Sequence, residues 1–224
     1  MPEETSTGAA RRWLVPAVAL VLIAALAFAV GRFSTFGSQS AAATPGTASA
    51  EAGFSRDMQV HHAQAIEMAM EIYGKTEDEE LRTLAYDIAT GQAGQRGQMY
   101  DWLVQWGLPQ RGGPMMQWMN VSDEHAHDGA ASGQPMSDEE AHAAMGMAST
   151  EEIAALKAAT GQEADCLFLA LMIRHHEGAI PMAEALLDLG TDPRALEVAQ
   201  AIENGQTAEI DAMQSMQARL GCSG

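Results

Sequence analysis

Two stretches decide the fold: residues 54–73, FSRDMQVHHAQAIEMAMEIY, and residues 168–189, FLALMIRHHEGAIPMAEALLDL. Slid by 114 positions, 54–103 lies on 168–217 without a gap, and 14 of the 50 pairs are identical, well above the handful that chance supplies. The identities include Met58/Met172, His61/His175, His62/His176, Met68/Met182, Gly91/Gly205 and Gln92/Gln206. Apolar residues in both copies recur at helical spacing. The chain therefore carries a duplicated helical hairpin.

Each copy has its own punctuation. In the first, Gly74 stands where a helix C-cap is wanted, and Thr76 with Glu79 predicts a capping box for the next helix, which runs to about Trp106. In the second, Gly190 is followed by Asp192 as N-cap and Pro193 at the first helical position, and the last helix runs to about Leu220. Two antiparallel hairpins predict an all-α four-helix bundle over 54–221, with hairpins at 54–106 and 150–221 and a crossover at 107–149. That crossover is too long to be a simple connection. Just past it, Ser149 with Glu152 predicts a short helix ending near Gly161, ahead of the third long helix.

On a helix, Met58, His61, His62, Ala65, Met68 and Ala69 share one stripe, as do Met172, His175, His176, Ala179, Met182 and Ala183. Two imidazoles and two thioethers thus face inward from each copy. A glycine in mid-helix costs about 1 kcal/mol relative to alanine, so Gly91 and Gly205 are expected to serve a close helix approach. Gln92 and Gln206 beside them are expected to bond the free ring nitrogens of the histidines, as outer-shell partners of metal-bound imidazoles do. The plain alternative is an inert core, with methionine as filler and histidines satisfied by hydrogen bonds. Duplication favours metal, because burying polar groups is expensive and the pattern occurs twice. Imidazole with thioether is a soft donor set, suited to copper, above all Cu(I). The crossover adds Met115, Met116, Met119, His125, His127, His142, Met145 and Met147 as accessory donors.

The 224 residues carry 12 Lys plus Arg against 30 Asp plus Glu, a net charge of −18, which repels phosphate backbones and excludes nucleic acid as a partner. Arg11 and Arg12 precede an apolar run, and the positive-inside rule makes 1–12 a cytoplasmic tail, 13–31 a transmembrane signal anchor, 32–53 a flexible tether and the remainder extracytoplasmic. The alternative is secretion after cleavage near Ala41 to Ala43, farther from the apolar run than is usual. No cysteine follows that run, so a lipoprotein anchor is excluded. Cys166 and Cys222, the only cysteines, lie at helix ends that antiparallel pairing brings together, which predicts a disulfide in an oxidising compartment.

An enzyme is not expected. A di-iron oxidase wants Glu-x-x-His on two helices plus two more inward glutamates, and the only match is Glu139 with His142 in the crossover. No Ser/His/Asp set, phosphate loop or Cys-x-x-Cys occurs.

The strings MQVHHAQAIEMA (58–69) and MIRHHEGAIPMA (172–183), with the approach to the second, resemble the two signatures of the ferritin-like domain of unknown function 305 family. The resemblance covers about residues 54–220. It implies a secreted or membrane-tethered four-helix protein, and copper binding as in some members. By position it carries over His61, His62, His175 and His176, flanked by Met58, Met68, Met172 and Met182. Pro181 stands where the first copy has Glu67 and is expected to kink the third long helix. The expectation is copper sequestration, delivery or resistance, set against a metal-free interaction or envelope-structural domain.

Overall fold

The computed structural model describes residues 44–120 and 136–222. The anchor expected at 13–31, much of the tether, and His125 and His127 lie outside the described residues. All regular structure among the described residues is helical. None of these helices is long and apolar enough to cross a membrane.

Helix α1 spans Ala50–Tyr73. It starts inside the stretch read as tether, because Ser49 supplies an N-cap: its Oγ accepts from the Ala52 N–H at 3.2 Å. The new first turn is buried, with Ala52 and Glu51 both inside. Helix α2, Glu79–Gln105, is capped by Asp78, whose Oδ1 accepts from the Leu81 N–H at 2.9 Å. The capping box expected from Thr76 does not form. A carboxylate directly ahead of the helix is the better acceptor, and the Thr76 Oγ1 accepts from the Asp78 N–H instead.

The crossover holds a 3₁₀ turn at Gln117–Asn120 and two short helices, α3 at Asp138–Ala144 and α4 at Thr150–Ala158. Both short helices start on Ser/Glu capping boxes, Ser137 with Glu140 and Ser149 with Glu152. Helix α5, Gly161–Leu189, runs unbroken through Pro181. Pro181 and Glu177 are both exposed, so the carbonyl that the proline deprives of a donor can turn to water. Helix α6, Pro193–Leu220, begins on the predicted Asp192 cap and ends on left-handed Gly221.

Short turns at 74–78 and 190–192 make α1 with α2 and α5 with α6 antiparallel pairs, and the pairs meet through α1 and α5. Glu51 at the start of α1 accepts from the N–H groups of Thr191 (2.6 Å) and Asp192 (3.1 Å) at the far end of α5, which makes that contact antiparallel too. At the opposite end Arg219 grips Asp78 with both guanidinium nitrogens, at 2.7 and 2.9 Å. Phe54 and Phe168, a repeat-related pair, are both fully buried, each stabilising the fold by about 2 to 3 kcal/mol. A disulfide joins Cys166 of α5 to Cys222 just past α6, with Cα atoms 5.4 Å apart.

Candidate metal centre

The four histidines of the repeat are completely buried. Their stripes face each other because α1 and α5 cross antiparallel at this level, and the four rings gather into one cluster. His61 and His175 stack with centroids 3.6 Å apart at 30°, while His62 and His176 flank them at 6.3 and 6.2 Å. The sequence suggests one cluster per copy. The structure merges the two into a single centre.

The methionines follow the same logic. Met58 lies at the start of α1 and Met182 towards the end of α5, and both enter one apolar cluster with Met99, Met145 and Met147. Met68 and Met172 enter the other, with Met213 and Met216. Antiparallel packing thus sorts the thioethers by level along the helices and mixes the two copies, with the histidine cluster between the levels.

Hydrogen bonds settle the protonation of the rings. The Nε2 of His61 meets the Met145 carbonyl at 3.0 Å and that of His175 meets the His61 carbonyl at 3.1 Å. The Nε2 of His62 meets the Gln95 Oε1 and that of His176 the Glu209 Oε2, each at 2.7 Å. All four partners are oxygens that accept, so each Nε2 donates, and the neutral rings of His61, His62 and His175 keep their lone pair on Nδ1. None of the four Nδ1 atoms has a hydrogen-bond partner. Burial, joined by the repulsion of neighbouring imidazoles, holds His61 at a pKa of about 3 and His175 well below the usual histidine range. Burial likewise holds His62 at about 4, against the opposing bond to Gln95. These rings are neutral at pH 7, as ligands must be.

The glutamine assignment is corrected. Gln92 and Gln206 are buried, but neither touches a histidine, and their amide atoms have no partner. The partners are Gln95 and Glu209, one turn further along α2 and α6 and themselves related by the repeat. The glycine reading is corrected as well: a Cβ at Gly91 or Gly205 would have no heavy atom within 4 Å, so neither serves a close approach.

The crossover closes one side. Its turn at 145–148 sits on α5, where Cβ atoms at Gly146 and Gly178 would collide with the Arg174 and Met145 carbonyls respectively, and Gly146 needs its φ of +68°. Gln64 of α1 clamps the same turn, donating to the Ala148 carbonyl at 2.8 Å and accepting from its N–H at 2.7 Å. Met145 and Met147 are buried, so these donors belong to the core rather than to a loose tract. Met115, Met116 and Met119 are partly buried around Trp118. Asp57 secures that segment, accepting from the Met116 N–H at 2.7 Å and the Trp118 Nε1–H at 2.9 Å. His142 lies on α3 with a buried, unpartnered Nε2.

Among the described residues, no three His, Cys, Asp or Glu side chains converge on one point suited to an ion. Copper held here would therefore draw on thioether sulfur beside the Nδ1 lone pairs. The donor chemistry fits: unpaired imidazole nitrogen is present at four rings, and methionines line both flanking clusters.

The comparisons agree with this architecture. A DUF305 protein from Streptomyces coelicolor, named as a candidate secreted protein, is 36% identical, with a TM-score of 0.67 over 80% of this chain and 96% of its own. A DUF305 fragment from Deinococcus radiodurans is 33% identical, with a TM-score of 0.60 over 76% and 96%. CopM in its Cu(I)-bound form is 26% identical, with a TM-score of 0.53 over 74% and 94%, and CopM has also been solved in a Cu(II)-bound form at 27% identity. No curated protein matches this chain. The family described as Domain of unknown function (DUF305) matches residues 51–217, and the chain belongs to it.

Proposed function

We propose that this protein binds copper outside the cytoplasm, for sequestration, delivery or resistance, within a ferritin-like four-helix bundle. The observation that carries the reading is the cluster of four buried imidazoles, each with its Nε2–H committed to oxygen and its Nδ1 without a hydrogen-bond partner. A core that used histidine only for structure would pair both nitrogens, since an unmet buried acceptor costs about 1 to 3 kcal/mol. The copper-bound forms of CopM support the choice of metal. The disulfide and the candidate secreted relative support an oxidising compartment. Residues 13–31 would tether the domain to the membrane as a single-pass anchor, or serve as a cleaved signal. The protein binds and holds; no step of catalysis is required of it.

One observation favours the metal-free alternative: His61 and His175 stack at 3.6 Å, an arrangement that packs well without an ion. Titration with Cu(I) against a chromophoric chelator decides between the two. Copper binding predicts that His61→Ala with His175→Ala weakens binding at least tenfold. Met58→Leu with Met182→Leu, which keeps volume and removes sulfur, should lower Cu(I) affinity more than Cu(II) affinity. Unchanged Cu(I) affinity in both double variants would return the bundle to a structural role.

A further inference from the structure

A cleft of about 60 Å³ lies between α2 and α6, on the side of the molecule away from the crossover turn at 145–148. Its walls are repeat-related: Gly91 and Gln92 come from α2, Gly205 and Gln206 from α6. Both glutamines are 4% exposed, and neither the oxygen nor the nitrogen of either amide finds a partner. Buried carboxamides left in that state are costly, so a polar occupant is required. The glycines explain why there is room. With nothing within 4 Å of a Cβ at either, they hold the cleft open in spite of their helical cost.

The lining favours a cation. Asp87 and Glu209 line the cleft, no lysine or arginine does, and the chain as a whole carries −18. The volume of about 60 Å³ exceeds the roughly 10 to 15 Å³ that a single water needs, so the cleft has room for water or for one ion with part of its water shell. The cleft also leads somewhere. Gln95 and Glu209 line it and hold the Nε2 of His62 and His176, two rings with no exposure of their own.

We propose that this cleft is the entry port through which a hydrated Cu(II) ion enters the bundle beside His62 and His176, with the carboxamide oxygens of Gln92 and Gln206 replacing part of its water shell on the way in. The proposal rests on the copper reading above and adds a route to it. Oxygen donors suit an aqua ion arriving from solvent, whereas the thioethers deeper in the core suit Cu(I). The port needs no change of oxidation state.

Stopped-flow loading of the full chain with Cu(II), followed by tryptophan fluorescence, tests it. Gly91→Leu with Gly205→Leu fills the cleft, and leucine raises helix propensity where space is open. The association rate should fall at least tenfold, with the equilibrium Kd within twofold of wild type. Gly94→Leu, on the same helix with equally open surroundings but outside the cleft, should load at the wild-type rate. Gln92→Ala with Gln206→Ala widens the cleft and should nonetheless slow loading, because oxygen is lost while space is gained. A wild-type chain that takes up no Cu(II) overturns the copper reading and the port with it. A chain that binds Cu(II), but whose glycine and glutamine variants load at the wild-type rate, overturns the port alone.

Discussion

Acid should unfold the metal-free protein well above the pH at which carboxylates titrate. In the unfolded chain His61, His62 and His175 take a proton near pH 6.5. In the folded chain burial first, then neighbouring charge, holds His61 at about 3, His62 at about 4 and His175 well below 6.5. Between pH 6.5 and 5 the unfolded state therefore binds more protons than the native state, and stability falls as pH falls. Each such histidine loses about 2 kcal/mol between pH 7 and pH 5, so the three together lose about 6 kcal/mol. That is a large part of the 5 to 15 kcal/mol typical of a domain. Asp78, held at about 2 chiefly by Arg219, gives up its contribution only below its unfolded value near 3.8, outside this window. Urea unfolding followed by circular dichroism at pH 7, 6 and 5, with copper removed and the disulfide intact, measures the loss. His61→Leu with His175→Leu should remove about two-thirds of the slope. A change below about 1 kcal/mol across this range would refute the claim that these imidazoles are buried and neutral.

Reducing the Cys166–Cys222 bond, which closes a loop with a sequence separation of 56, should cost about 4 kcal/mol of stability from released chain entropy; equal urea midpoints with and without reductant would show that the bond is not formed. Glu209→Gln should make the His176 end resemble the His62 end and weaken copper binding there about tenfold, the usual cost of losing a carboxylate behind a ligating imidazole, read in the same chelator competition as the histidine variants.

The helices and their order were legible because local chemistry writes them. The Gly190, Asp192 and Pro193 punctuation and the Ser149/Glu152 box stand where the sequence puts them. Thr76 misled because Asp78, two residues on, offers the better acceptor at the helix start. Periodicity identified the inward face of each helix but carries no information on which partner that face meets. The single histidine cluster and the exchange of methionines between copies therefore emerge only from antiparallel packing. The outer-shell partners were missed by one turn for a related reason. Gln92 and Gln206 stand out as identities in the repeat, while Gln95 and Glu209 differ and escape a scan for sameness, although they share a repeat position and a role. For the clamp of Gln64 on Ala148 no local signal exists; Gly146 and Gly178, which make room for it, were the nearest hint.

The difference between Gln95 and Glu209 has a consequence for what gene duplication achieved. Two identical hairpins meeting as separate molecules around the His61/His175 stack would be bound by their symmetry to carry the same residue behind both outer imidazoles, and any substitution would strike both at once. Once the copies share one chain, each end is free to drift alone. Here one outer imidazole rests against an amide and its counterpart against a carboxylate, while His61 has taken its bond from the crossover rather than from the other copy. Equivalent imidazoles of the two copies thus rest against different groups, an inequality that a centre built from two identical chains could not carry.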